Sequence, residues 1–169
     1  MENIGIYSYP HDKTEKNSDK EIITSVREYI NDGEANISVQ RDQYGKPHIV
    51  GIDGIYVSVA HDKDLCLVAV ARENIGIDLE RADRRVRNPA SLAKRYFCDD
   101  EIAFLGDEPS LSDFIDMWVK KEALSKLIGK GIPCMKEKSV FSEDIIFTKV
   151  YNYDRYIVYY VTNRDKIIK

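Results

Sequence analysis

The chain has 169 residues, 43% hydrophobic and 32% charged, enough for one well-buried core or two half-domains sharing one. Its net charge of −4 and pI near 5.5 give no overall basic field and argue against a nucleic-acid partner. No apolar run approaches the ~20 residues of a membrane helix and residues 1–10 lack a signal-peptide pattern, so a cytoplasmic protein with no membrane contact is expected.

Asn3 to Tyr9 reads as a short strand closed by Pro10, followed by a polar stretch from His11 to Ser18. Ser18 or Asp19 can cap a helix running to about Ile30, because Ile22, Ile23, Val26 and Ile30 recur at helical spacing. Asn31-Asp32-Gly33 stops it. A strand over Ile37 to Arg41 leads into the turn Gln43-Tyr44-Gly45-Lys46-Pro47. Strands are predicted over His48 to Ile52 and Ile55 to Val59, joined as a hairpin at Asp53-Gly54. After Ala60-His61, the unbroken apolar run Leu65 to Ala71 is a strand covered on both faces. Cys66, Cys98 and Cys134 are odd in number, far apart and without a Cys-x-x-Cys spacing, which argues against a disulfide framework or zinc knuckle.

The next strand, Ile75-Gly76-Ile77-Asp78-Leu79-Glu80, turns Ile75, Ile77 and Leu79 to one face and Gly76, Asp78 and Glu80 to the other. Two carboxylates on one strand face repel unless a cation lies between them; the plain alternative is a pair of acids on a solvated edge. Arg81, Arg84, Arg85 and Arg87 crowd the following loop, either as a solvated charged segment or as a surface for an acidic partner. Helices follow from Pro89 to Tyr96 and from Cys98 onward, where Glu101 stands at the acid position of a capping box. Leu111, Phe114, Ile115 and Trp118 then form one apolar helical stripe whose next member is Glu122, with Lys121 and Lys126 beside it. An inward carboxylate must be protonated, paired or metal-bound. With Asp78 and Glu80 it would make an oxygen-rich site suited to Mg²⁺; alone it would be a salt-bridged glutamate on a half-exposed helix. Ile132-Pro133 leaves this helix, and Val140 to Phe141, Ile145 to Tyr151 and Tyr156 to Val161 read as strands before a loose end at Asp165 to Lys169.

Three of these stretches, in this order and spacing, resemble the 4'-phosphopantetheinyl transferase superfamily. Its signature is a hydrophobic-Gly-hydrophobic-Asp-x-Glu strand, an aromatic-rich Phe-x-x-x-Glu helix start, and Trp-x-x-Lys-Glu-Ala-x-x-Lys ending near Gly-x-Gly. Here these are Ile75 to Glu80, Arg95-Tyr96-Phe97-Cys98-Asp99-Asp100-Glu101, and Trp118 to Gly131. The likeness runs from about Gly45 to Gly131 and more loosely beyond. It implies an α+β fold of two pseudo-two-fold related half-domains, each with a helix or helices on an antiparallel sheet. Residues 1–72 and 73–169 would be the halves of one compact unit, with the site at their junction.

The resemblance further implies Mg²⁺-dependent transfer of 4'-phosphopantetheine from coenzyme A to a serine of an apo acyl or peptidyl carrier protein. Fatty-acid, polyketide or nonribosomal peptide synthesis would be served. Asp78, Glu80 and Glu122 would hold Mg²⁺; Glu122, Lys126 and Glu101 would be catalytic, with Glu101 or a metal-activated water as base. Lys46, Pro47, His61, Lys121 and Lys126 would lie against coenzyme A. Taken alone, Gly45-Lys46-Pro47 is only a turn and His61 a surface or capping residue. Two departures stand out. Ala60 replaces the serine of the usual Ser-His pair, and the N-terminal half is shorter than in the surfactin-synthetase-activating type. The chain is nevertheless longer than the trimeric holo-acyl-carrier-protein synthase subunit, which points to a monomer carrying both halves. The rival reading is a relative that binds coenzyme A or a carrier protein with little or no turnover. The blandest reading is an unrelated α+β domain whose helix salt bridges mimic the motif.

Overall fold

The computed structural model describes residues 4–11 and 18–164; Asn3, most of the polar stretch expected at 11–18, and residues 165–169 lie outside the described residues. Strand β1, Ile4–Pro10, leads to helix α1, Asp19–Ile30, which buries Ile22 and Val26 one turn apart. Ser18 occupies its N-cap without a side-chain hydrogen bond, and Asn31 ends it in the left-handed region with φ 56°.

β2, Ser38–Arg41, and β3, Pro47–Val50, form a small hairpin of their own. Its turn is shaped by Asp42, whose carboxylate accepts the amides of Tyr44 at 2.9 Å and Lys46 at 3.0 Å. The hairpin expected at Asp53-Gly54 is therefore absent. β4, Tyr56–His61, pairs instead with β5, Leu65–Ala71, in a register matching His61 with Cys66. The physical reason is a glycine corner: Gly51 and Gly54 both take positive φ, 103° and 68°, and Gly51 backs onto the Asn36 carbonyl, so the chain leaves β3 rather than folding along it.

The first sheet has the order β1-β5-β4, which places the apolar β5 in the centre. The second is built from β6, Ile75–Arg81, β7, Ile145–Val150, and β8, Tyr156–Asn163, in the order β6-β8-β7, and every pairing is antiparallel. Where β4 runs beside β6 no ladder forms, and the Ser58 hydroxyl accepts the Ile77 amide at 3.0 Å. A buried backbone donor is thereby satisfied at the seam. Ala60, Leu67, Ala69, Ile75, Ile77 and Val158 pack around this seam, between one cluster beneath α1 and another beneath the later helices.

α2, Pro89–Tyr96, starts on Asn88, whose side chain accepts the Ser91 amide at 2.9 Å. α3, Asp99–Leu105, starts on a capping box in which Glu101 accepts the Cys98 amide. α4, Leu111–Ile128, starts on Ser110, whose hydroxyl accepts the Asp113 amide, and stops at Gly129, φ 85°. Phe114, Ile115 and Trp118 of its expected stripe are buried, whereas Leu111 in the first turn is 39% exposed. The strand expected at Val140 to Phe141 is a turn, because the Val140 amide donates to Glu101 rather than to a neighbouring strand. Among the described residues no disulfide joins Cys66, Cys98 and Cys134. Among the described residues no helix is long and apolar enough to cross a membrane.

Candidate active site

The site arises from the way α4 lies on β6. A Cβ on Gly76 would run into the carbonyl of Ala123 and come within 2.6 Å of the Leu127 amide. Only glycine lets helix backbone rest on strand backbone there. Gly76 shares its strand face with Asp78 and Glu80, so the close approach brings Glu122 and Lys126 of α4 over the two acids.

Asp78 is 5% exposed, and Lys126 Nζ donates to its Oδ1 at 2.7 Å. Its other oxygen, Oδ2, is buried with no hydrogen-bond partner among the described residues. Glu122 lies next to it: burial first, then the charge of Asp78, push the Glu122 carboxyl up to about 8, with Lys126 pulling the other way. A proton on Glu122 would give Oδ2 its missing donor. Glu80 is also raised, to about 7, by burial and by the neighbouring Asp78 and Asp62, although Arg84 pairs with it and opposes the rise. Three acids thus sit where their ionised forms disfavour one another.

Among the described residues no three His, Cys, Asp or Glu side chains are gathered into a ready-made metal cage, since Asp78 is turned to Lys126 and Glu80 to Arg84. The donor set still fits a hard divalent cation. Among the described residues Oδ2 of Asp78 is an unpartnered buried acceptor, burial and like charge raise the two neighbouring carboxyls to about 7 and about 8, and oxygen-only ligation by few protein groups is what Mg²⁺ accepts.

Glu122 and Lys126 form one wall of a cleft of about 600 Å³ between α4, β4 and the β2–β3 turn. Lys46, Pro47 and His61 line it, and Ser125, Gly129 and Gly131 carry the wall past the end of α4. His61 stacks on His11 with centroids 4.6 Å apart; burial, then His11 and Lys126, hold its pKa below the usual imidazole value. It is therefore a neutral hydrogen-bonding group at neutral pH. Lys46 is turned aside, its ammonium donating to Asn74 Oδ1 at 2.8 Å and to the Leu127 carbonyl at 3.0 Å. Ala60 is buried in the core at the seam and does not line the cleft.

Glu101 and Lys121 are not brought to this cleft, which corrects the expectation for both. Their side chains are fully buried and paired at 3.0 Å. Glu101 also accepts the amides of Cys98 at 2.7 Å and Val140 at 2.6 Å, and Lys121 donates to the Lys138 carbonyl at 2.8 Å. The capping role is the one Glu101 fills. Lys121 precedes Lys126 by five residues, about 140° around a helix, so the two cannot share a face.

Sequence reasoning missed Arg41 and Asp19, which meet at 2.8 Å on the cleft rim, and Tyr44 beside them. Nothing local marks that long-range ion pair. It also missed Asn74, and the pairing of Arg84 with Glu80 four residues earlier.

A family model for the 4'-phosphopantetheinyl transferase superfamily matches residues 74–160. The chain is 29% identical over 114 residues to 4'-phosphopantetheinyl transferase gsp of Aneurinibacillus migulanus, covering 63% of this chain and 46% of that protein. It is 30% identical over 101 residues to a 4'-phosphopantetheinyl transferase of Bacillus subtilis, covering 58% and 44%. With 4'-phosphopantetheinyl transferase psf-1 of Bacillus pumilus it shares 34% identity over 93 residues, covering 52% and 38%. The matched part spans less than half the length of each of these relatives.

Proposed function

The chain belongs to the 4'-phosphopantetheinyl transferase superfamily, and from that premise we propose that it moves 4'-phosphopantetheine from coenzyme A to a serine hydroxyl of an apo acyl or peptidyl carrier protein. The serine oxygen bonds to the phosphorus bearing pantetheine as its hydroxyl proton passes to water, the pyrophosphate P–O bond breaks, and 3',5'-adenosine bisphosphate leaves. The observation that carries this reading is the convergence of Asp78, Glu80, Glu122 and Lys126, all inside the matched segment, beside a cleft of about 600 Å³. That volume suits a cofactor-sized ligand.

Asp78, Glu80 and Glu122 would hold Mg²⁺, which when bound supplies charge neutralisation on the pyrophosphate. Lys126, 33% exposed and already aimed into the acid cluster, adds positive charge and can give a proton to the departing phosphate oxygen. His61 offers a neutral imidazole hydrogen bond at the cleft mouth. Lys121 and Glu101 hold up the back of α4. Arg85 and Arg87, exposed and outside any ion pair among the described residues, are the part of the arginine loop open to an acidic carrier. In the same proposal residues 1–72 and 73–169 are the two half-domains of a cytoplasmic monomer. Support comes from one three-stranded sheet lying wholly before residue 72 and the other wholly after residue 74.

The test is mass-spectrometric loading of apo carrier proteins with coenzyme A. Mg²⁺-dependent mass gain by the native chain, lost in Asp78→Ala, is expected; equal loading by Asp78→Ala would remove the metal role. A second reading, a binder of coenzyme A or a carrier without turnover, draws on Ala60. Calorimetric coenzyme A binding with no carrier loaded would favour it.

A further inference from the structure

We infer that Lys46, Asn74 and the Leu127 carbonyl form a clasp that positions the end of α4, and that Lys46 serves the cleft through this clasp as a positioning residue rather than as a phosphate ligand. The inference rests on the proposal that coenzyme A occupies the cleft. Three parts of the chain meet here: the turn after β2, the link between β5 and β6, and the last turn of α4. Lys46 Nζ donates to Asn74 Oδ1 at 2.8 Å and to the Leu127 carbonyl at 3.0 Å, while Asn74 Nδ2 donates to the same carbonyl at 2.8 Å.

The physics of helix ends explains the arrangement. The last carbonyls of a helix lack intrahelical donors and carry partial negative charge, which a cation and an amide together satisfy. Both acceptors are filled by one half-buried ammonium, and burial lowers its pKa. The lysine stem also lies against Gly129, where an added Cβ would meet Cδ at 3.0 Å. The clasp therefore sets where Lys126 leaves the helix and where the Gly129–Gly131 turn borders the cleft. Two of the three ammonium protons of Lys46 are committed to Asn74 and the Leu127 carbonyl, which leaves one for a phosphate and fixes the direction in which it can be given.

Asn74 separates the two roles, because removing it leaves the lysine charge intact. In calorimetry with coenzyme A, Asn74→Ala and Lys46→Met should each weaken binding roughly ten-fold, the size of one lost charge-assisted hydrogen bond. The double variant should be little worse than either single one. Lys46→Met should keep the native dependence on ionic strength. Native affinity in Asn74→Ala, together with weak, less salt-sensitive binding in Lys46→Met, would overturn the clasp and make Lys46 a phosphate ligand. Hydrogen exchange without any ligand gives an independent readout: amides 129–131 should lose protection in both single variants, and unchanged protection in both would overturn the clasp. A native chain that binds no coenzyme A would instead sink the functional reading, and exchange alone would then decide the clasp.

Discussion

Asp116 makes the clearest case for what a single residue contributes. Burial alone would raise its carboxyl, yet Lys120 at 2.6 Å and the Tyr159 hydroxyl at 2.8 Å hold it below the ordinary aspartate value. A depressed folded pKa gives stability that is fully present above the unfolded value near 3.8 and is lost as pH falls through the folded one. Asp116→Asn should therefore cost about 1–2 kcal/mol at pH 7 in urea denaturation, and the gap to the native chain should close below about pH 4. Glu101 and Lys121 test burial against catalysis. Removing either leaves an uncompensated charge in the interior, so Glu101→Ala or Lys121→Met should lose about 3–5 kcal/mol of stability. In the milder Glu101→Gln, carrier loading should fall only as far as the folded fraction falls. A large loss of loading in a fully folded Glu101→Gln protein would return the residue to the chemistry.

Among the elements, the contact of β6 with α4 decides the most. Gly76 permits backbone on backbone, so Gly76→Ala must push the helix outward and carry Glu122 and Lys126 away from Asp78. Overpacking against backbone belongs at the severe end of such changes, about 3 kcal/mol. Calorimetry should show Tm lower by about 6–12 °C in a chain of this length. Loading activity should fall further than stability, because a small shift misplaces reacting groups. At the β4–β6 seam, Ser58→Ala would leave the Ile77 amide without its partner and cost about 1–3 kcal/mol by denaturant titration. A negligible change there would mean that water replaces the hydroxyl.

At the scale of the whole molecule, an acidic chain presents local cations at the two places where anions are proposed to bind. Arg81 is matched by Asp83 and Arg84 by Glu80, while Arg85 and Arg87 face solvent. Reversing both to glutamate should raise the KM for an acidic carrier about ten-fold at low salt, with the difference shrinking at high salt and coenzyme A affinity unchanged. Equal KM values across ionic strength would locate the carrier elsewhere. The shared core around Ile75, Ile77 and Leu67 ties both sheets together, so these variants should unfold in one transition.

Much of this was legible without coordinates. Strand alternation put Gly76, Asp78 and Glu80 on one face, helical spacing put Glu122 in line with Trp118, and turn chemistry marked the ends of α1. Those features depend on neighbours within a few residues, and local geometry is what a sequence encodes directly. The structure alone decided which lysine of the pair faces the cleft, that Glu101 is sealed inside, that β4 deserts β3 for β5, and that Lys46 turns from the cleft to the end of α4. Each of those outcomes depends on a partner far along the chain, and only the packing of whole elements sets which distant groups a buried charge or a helix end will meet.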